Sequence, residues 1–348
     1  MDVKTLERTC EPLRMLVCLV AVALSLLPHG PVQAAAQESY AARPEVQNFI
    51  AELAERDGFD VKALRRLFSQ AHFQPGIIAA MSRPLTAPPQ WHEYAPRFVN
   101  PARIESGVAF WRDNAAALGR AEKEFGVPAE VIVAIIGVET NYGRNTGSYR
   151  VLDALTTLAF DYPRRAEFYR GELEQFLLLA REQRISPLLP SGSYAGAIGI
   201  PQFMPGSWRA YAVDFDRDGS IDLEHDVADA VGSVANFLAR HGWQPEQPVM
   251  AAVSIAQESE SDVASTLDGG IAERRALADW VRAGVSGFAI PDNLAPEPVG
   301  VVMLEERTAA SYWLVFNNWY VLTRYNRSRL YASAVQALAQ AIREAAAR

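Results

Sequence analysis

The chain has 348 residues, a formal net charge of −8, 49% hydrophobic and 21% charged residues, which suits a globular protein with a large core and about two domains. An acidic chain without a basic run is a poor nucleic-acid binder, because phosphate neutralisation supplies most of that affinity. Both cysteines, Cys10 and Cys18, fall within the first 36 residues, so the rest of the chain holds neither a disulfide framework nor a Cys metal site.

Residues 1–36 carry Lys4, Arg8 and Arg14, an apolar run from Met15 to Leu27, a Pro/Gly break, and Val32-Gln33-Ala34-Ala35-Ala36. That order predicts a secretory signal cleaved near Ala34 to Ala36 and a periplasmic, exported protein. The run of 13 residues is short of the roughly 20 that span a bilayer; a retained anchor is the alternative.

From Pro44 to Ala71, Val46, Phe49, Ile50 and Leu53, then Val61, Leu64, Leu67 and Phe68, recur at helical spacing on either side of Asp57-Gly58, predicting two short helices. Pro84, Pro88, Pro89 and Pro96 mark an extended connection, and Ile104 to Phe125 reads as one amphipathic helix. Pro128 opens a run of Val131, Ile132, Val133, Ile135, Ile136 and Val138 without a polar face, which predicts a buried central helix. Further helices are expected over Val151 to Phe160, Arg165 to Glu182, Asp226 to His241 and Leu330 to Ala347. Ser259 to Gly270 reads as a surface linker, and Val299 to Glu305 and Tyr312 to Tyr325 as strands. The fold class is mainly α with a small β element.

The central helix ends on Glu139. A carboxylate after six large apolar residues sits where water is scarce, and desolvation raises its pKa toward that of a general acid at neutral pH. The same pattern also suits a helix-terminal Glu that reaches solvent or pairs with Arg144.

Asp214, Asp216, Asp218, Gly219, Ser220, Ile221 and Asp222 place oxygen ligands at alternate residues around a turning glycine, the first part of an EF-hand-like loop for Ca²⁺. The twelfth position is His225, a poor ligand for a hard cation, so the closing carboxylate comes from Asp229 or Asp226. The role expected of the ion is structural. His72, His92, His225 and His241 are scattered without zinc spacing. Nor is there a phosphate loop or a nucleophile elbow. Trp313, Phe316, Trp319 and Tyr320 suit either a sugar groove or a core.

Beyond these local signals, Ile135-Ile136-Gly137-Val138-Glu139-Thr140-Asn141-Tyr142-Gly143 is followed in order by Leu152-Asp153-Ala154-Leu155, Tyr162-Pro163-Arg164-Arg165 and Gly192-Ser193-Tyr194-Ala195-Gly196-Ala197. Gln202-Phe203-Met204-Pro205, Ser233-Val234-Ala235-Asn236, His241-Gly242-Trp243 and Thr323-Arg324-Tyr325-Asn326 come next. This series resembles the lytic transglycosylase B family over most of the chain. The one local departure is Ile200-Pro201 where the family often has glycine before Gln202.

The resemblance implies a lysozyme-like core over 126–258 carrying the EF-hand-like loop, after a helical region over 37–125. A linker and small β-containing subdomain over 259–310 and a C-terminal segment over 311–348 returning to the core complete the expected layout. It implies Glu139 as catalytic acid and base, and Tyr94, Arg164, Arg165, Ser193, Gln202, Tyr325, Asn326 and Tyr331 as substrate contacts. It also favours Asp229 as the closing calcium ligand beside Asp214, Asp216, Asp218 and Ser220. The expected substrate is the peptidoglycan glycan strand, cut between N-acetylmuramic acid and N-acetylglucosamine to leave a 1,6-anhydro end, with no organic cofactor. The protein is expected to act as a monomer, leaving room for cell-wall synthesis or division proteins as partners. Ordinary glycosidases use two carboxyl groups, and Asp153 and Asp161, the nearest in sequence, read better as helix-end or turn residues. A muramidase that admits water, and a catalytically silent, calcium-stabilised wall-binding protein, are the competing readings.

Overall fold

The computed structural model describes residues 39–83, 89–267, 270–289, 294 and 297–348; the expected signal segment, and Pro84 and Pro88 of the expected connection, lie outside them. The chain enters through Tyr40, whose hydroxyl donates to Asp161, and Arg43, whose guanidinium pairs with the same carboxylate at 2.9 Å. Helix α1 (Pro44–Asp57) is closed by Gly58 at φ 68°, and α2 (Val61–Phe68) is opened by the Asp60 side chain, which accepts from the Ala63 amide at 2.6 Å. Short helices α3 (Pro75–Met81) and α4 (Trp91–Tyr94) follow.

The single helix expected over 104–125 is two, α5 (Pro101–Asp113) and α6 (Ala115–Phe125). Asn114 breaks it: its backbone leaves the helical region at φ −117°, ψ 22°, while its side-chain amide donates to the Phe110 carbonyl at 2.8 Å. A local side-chain bond competes there with the helical ladder.

Helix α7 (Ala129–Thr140) is central: every residue from Val131 to Val138 is buried, and it packs against α5, α6, α11 (Val227–Arg240) and α15 (Arg329–Ala346). Each Val or Ile buried there stabilises the fold by roughly 1.5–3 kcal/mol. After α7 come β1 (Tyr149–Arg150), α8 (Val151–Asp161), α9 (Ala166–Glu182), β2 (Ser191–Gly192) and α10 (Pro205–Tyr211). β1 and β2 pair antiparallel, Tyr149 opposite Gly192, beside the C-terminal end of the central helix's loop.

The second sheet is antiparallel and runs in the order β4 (Val285–Ser286), β3 (Met250–Ile255), β6 (Ala310–Val315), β5 (Gly300–Glu305), with Gly300 opposite Val315 and Glu305 opposite Ala310. Segments on both sides of 259–310 therefore contribute strands to it. Trp280, Val285, Val301, Leu314 and Phe316 form a separate small core with this sheet. Within the stretch read as linker, α12 (Glu260–Ser265) buries Val263, and after it α13 (Leu277–Arg282) carries Trp280.

Only the first part of the expected 312–325 strand is strand; Asn317–Tyr325 is helix α14, since its aromatic composition is that of a helix buried on most sides, not of a sheet. Phe316 and Trp319 are core residues and Tyr320 is buried, which rules out a sugar groove for those three. Among the described residues no helix is long and apolar enough to cross a membrane.

Candidate active site

The unbroken apolar run of α7 buries its own axis, so the first acidic side chain after it, Glu139, arrives at the edge of the core on a partly exposed turn. Burial pushes its carboxyl up to about 7, and one hydrogen bond from the Tyr331 hydroxyl, at 2.6 Å, partly opposes that rise. No neighbouring charge contributes. Arg144 does not pair with it; that guanidinium is exposed and donates to Ser106 at 3.1 Å.

Three phenols surround the carboxyl. Tyr94, Tyr325 and Tyr331 all have their own ionisation pushed up, by burial first and by the proximity of Glu139 second. The rings of Tyr325 and Tyr331 lie nearly parallel with centroids 6.4 Å apart. These three come from α4, α14 and α15, so the pocket joins the N-terminal third of the chain to its C-terminal end.

The backbone beyond Glu139 is unusual. Asn141, Tyr142 and Gly143 are consecutively left-handed, at φ 53°, 62° and 80°. Two of these are not glycine, and such strain persists only where surroundings over-determine it. Thr140 is one determinant: buried, it donates to the Ile200 carbonyl at 2.8 Å and accepts from the Gly143 amide at 3.0 Å. Tyr142 is another. Its ring lies against Gly137, where an added Cβ would stand 2.7 Å from the hydroxyl, and it donates to the Arg103 carbonyl at 2.8 Å. The Arg103 guanidinium in turn donates to the Gly137 carbonyl, and burial lowers its pKa. Thr140 and Tyr142 were missed as site residues, although a glycine inside an apolar helix is a visible sign of close approach.

The Ile200-Pro201-Gln202 loop closes the same region. Gln202 takes φ 52° and its amide donates to the Thr146 and Gly199 carbonyls, both at 2.9 Å. The Tyr325 hydroxyl donates to the Pro201 carbonyl at 2.6 Å. Thr140, Pro201 and Tyr325 thus tie the end of α7 to α14. Ser193 sits in a tight turn after β2, its hydroxyl accepting from the Ala197 amide at 3.1 Å. Asn326 is exposed at the end of α14.

Arg164 and Arg165 lie exposed in a 3-10 turn, Pro163–Arg165, and neither adds to the shift of Glu139. Arg165 stacks over Phe168 at 4.2 Å and faces Tyr169 at 5.4 Å. Asp153 is buried and satisfied by Arg150 at 2.6 Å and the His72 amide at 2.9 Å, and Asp161 is held by Tyr40 and Arg43. Both are structural.

In the acidic loop, Asp214 accepts from the Gly219 amide at 2.9 Å and Asp218 from the Ser220 amide at 2.8 Å, while Gly219 turns at φ 95°. Buried Asp229 accepts from the Phe215 amide at 2.6 Å and the Asp222 amide at 2.8 Å. Carboxylate oxygens of Asp214, Asp216 and Asp229 lie within 4.8 Å of one another. Oxygens that each stand about 2.4 Å from a shared calcium are at most about 4.8 Å apart, so these residues fit that ion. Asp218 and Ser220 are exposed on the same loop, outside that trio. His225 is exposed, and its Nδ1 lies 3.1 Å from Asp222.

Residues 41–340 match the Transglycosylase SLT domain family. The membrane-bound lytic murein transglycosylase B of Escherichia coli (strain K12) is 41% identical over 312 residues, 87% of this chain and 84% of that one. The solved soluble lytic transglycosylase SltB1 of Pseudomonas aeruginosa is 47% identical, with a TM-score of 0.82 over 88% of this chain and 100% of that one. Escherichia coli lytic transglycosylase Slt35, solved in complex with calcium, is 40% identical, with a TM-score of 0.81 over 89% of this chain and 96% of that one. A family match over residues 41–340, 41% identity to a murein transglycosylase over most of both chains and a shared mainly helical frame make the chain a lytic transglycosylase, a member of the lytic murein transglycosylase B family that cleaves peptidoglycan.

Proposed function

We propose that the enzyme cuts the β-1,4 bond between N-acetylmuramic acid and N-acetylglucosamine without water, and that Glu139 acts twice. As an acid, it gives its proton to the bridging oxygen while the C1–O bond breaks and the 2-acetamido oxygen supports the oxocarbenium-like carbon, a substrate-assisted route. As a carboxylate, it then takes the proton from the same sugar's C6 hydroxyl as O6 bonds to C1, closing the 1,6-anhydro ring. An intramolecular hydroxyl with an effective molarity of about 10⁵ M outcompetes water.

One observation carries this reading: burial pushes Glu139 up to about 7 with no second charge contributing. A second carboxylate at the ~5 Å of a retaining pair would raise it further by like-charge repulsion. A carboxyl near pKa 7 serves equally as donor and acceptor at neutral pH. Ser193 is assigned to the acetamide, and Tyr94, Tyr325, Asn326, Tyr331 and Gln202 to bracing the sugar. Arg164 and Arg165 are assigned to the lactyl or peptide carboxylates, for which a guanidinium is suited.

Calcium, bound by Asp214, Asp216 and Asp229 with Asp218 and Ser220 alongside, is assigned a structural role: it would neutralise the loop that leads into α11. The wall substrate and the leader-like sequence of residues 1–36 support a location outside the cytoplasm.

The test is digestion of purified glycan strands with mass spectrometry of the products. Anhydro ends are expected. Reducing ends, one water heavier, would favour a muramidase, and unchanged turnover in Glu139→Gln would overturn the role of that residue.

A further inference from the structure

The Tyr331 hydroxyl bonds to Glu139, and Tyr94 lies near enough for that carboxyl to raise its pKa; the two come from elements far apart in the chain, and a third region holds them together. Ser328 caps α15 by accepting from the Tyr331 amide at 3.3 Å, so Arg329 and Tyr331 share one ordered first turn. While Tyr331 points to Glu139, the Arg329 guanidinium turns to the small sheet. It donates to the Met303 carbonyl and pairs with the Glu305 carboxylate at 2.7 Å, with only 11% of its side chain exposed. The backbone carbonyl of the same Glu305 lies 3.2 Å from His92 Nδ1. A carbonyl can only accept, so that nitrogen carries the proton. His92 stands two residues before Tyr94 on α4.

We propose that the end of β5 is a brace for the catalytic carboxyl: Arg329, Glu305 and His92 are positioning residues that lock the two tyrosine walls of the Glu139 pocket to one another. Helix α4 needs such a hold. It has four residues, none of them buried, and continues only into one 3-10 turn, Ala95–Arg97, where Tyr94 packs on Phe98 at 5.1 Å; so short a run is far below the length at which a helix is stable alone. Its internal support is the capping box between Gln90 and Glu93, which shapes the turn without fixing where the turn sits. The Arg329–Glu305 pair is largely shielded from water, where a charge-assisted bond is stronger than an exposed one. The small sheet thereby takes part in the reaction without touching the substrate.

The proposal rests on the reading of Glu139 as acid and base, and the test separates the two. Arg329→Met, His92→Ala, His92→Asn and Glu139→Gln are assayed on glycan strands as kcat/KM against pH, each with its melting temperature. Loosening α4 admits water to Glu139, lowers its affinity for a proton, and moves the alkaline limb of the profile to lower pH. The phenols facing Glu139 ionise well above 10 or are raised from it, so they do not obscure that limb.

Arg329→Met and His92→Ala should each lower kcat/KM about tenfold, since a small misplacement of catalytic groups is costly, and shift the limb by half a unit or more. His92→Asn, which keeps a side-chain N–H, should recover most of both. A double variant carrying Arg329→Met and His92→Ala should resemble the singles, because links of one device are not additive. If Arg329→Met fails to fold, His92→Ala on the partly exposed α4 carries the test. A limb that stays put in folded His92→Ala overturns the brace even if the rate falls; an active Glu139→Gln removes the reading beneath it instead.

Discussion

Two groups of carboxylates in this chain meet opposite surroundings. Glu139 ends an apolar helix, accepts one hydrogen bond from a phenol, and holds its proton up to about pH 7. In the acidic loop, Asp214 accepts from the amides of Asp218 and Gly219, and Asp229 from those of Phe215 and Asp222. Burial raises Asp229 on balance, and the N–H groups of Asp222 and Phe215 oppose only part of that rise. The surroundings differ in kind: Glu139 stands apart from other carboxyls and suits proton transfer, whereas Asp214, Asp216 and Asp229 converge within 4.8 Å and suit a cation.

The largest test of the contrast is Glu139→Gln, which keeps the shape and removes the proton. Turnover should fall about 10³-fold or more, the usual scale for losing a positioned acid and base. Stability should move the other way. The folded carboxyl keeps its proton up to about 7, while an ordinary one releases it near 4.5. The folded protein thus binds more protons across that window, and its stability falls as pH rises from about 4.5 to about 7, by about 3 kcal/mol. Denaturant melts should show the Gln variant more stable than the parent at pH 8 and equal to it at pH 4. Equal stability at both would mean that Glu139 is not desolvated.

Next in size is Asp229→Ala, which strips the acceptor from two backbone amides and one carboxylate from the trio. A loss of about 2–4 kcal/mol is expected, the cost of buried donors left unpaired plus the lost ion. In the parent, a calcium chelator should lower the melting temperature and added calcium restore it. In the variant, the chelator should change little. A parent indifferent to chelation would leave the loop a set of hydrogen-bonded turns and erase half of the comparison.

These two regions also differ in how they could be read beforehand. The acidic loop is local, with ligands at alternate residues, so Asp214, Asp216 and Gly219 stand out from spacing alone. The α7 run and Glu139 are local as well. The pocket is not: the bond between Tyr331 and Glu139 spans 192 positions, and no periodicity encodes it. Family resemblance alone points to Tyr94, Tyr325 and Tyr331, and their grouping is a property of the folded chain. Where structure departs from pattern, the cause is likewise tertiary or a single side chain. Asn317–Tyr325 carries strand-like aromatics yet forms a helix because most of it is enclosed, and Asn114 splits a continuous amphipathic pattern with one side-chain bond.

The smallest expected effect sharpens the contrast most, because it changes the donor count at Glu139 from one to none. Tyr331→Phe removes the hydroxyl that donates at 2.6 Å and leaves the ring in place. That bond favours the ionised carboxyl, so its loss should raise the pKa above about 7, by about one unit for a hydrogen bond to a charged group worth about 1.4 kcal/mol. The alkaline limb of kcat/KM should then move up, the reverse of the shift expected when α4 is loosened. Near pH 6, where the acid form already dominates, turnover should drop only as far as the second step suffers, since a less stable carboxylate forms less readily once the proton has been given away. A limb that moved down instead would mean that the hydroxyl chiefly excludes water, and that the ring around Glu139 acts by its volume.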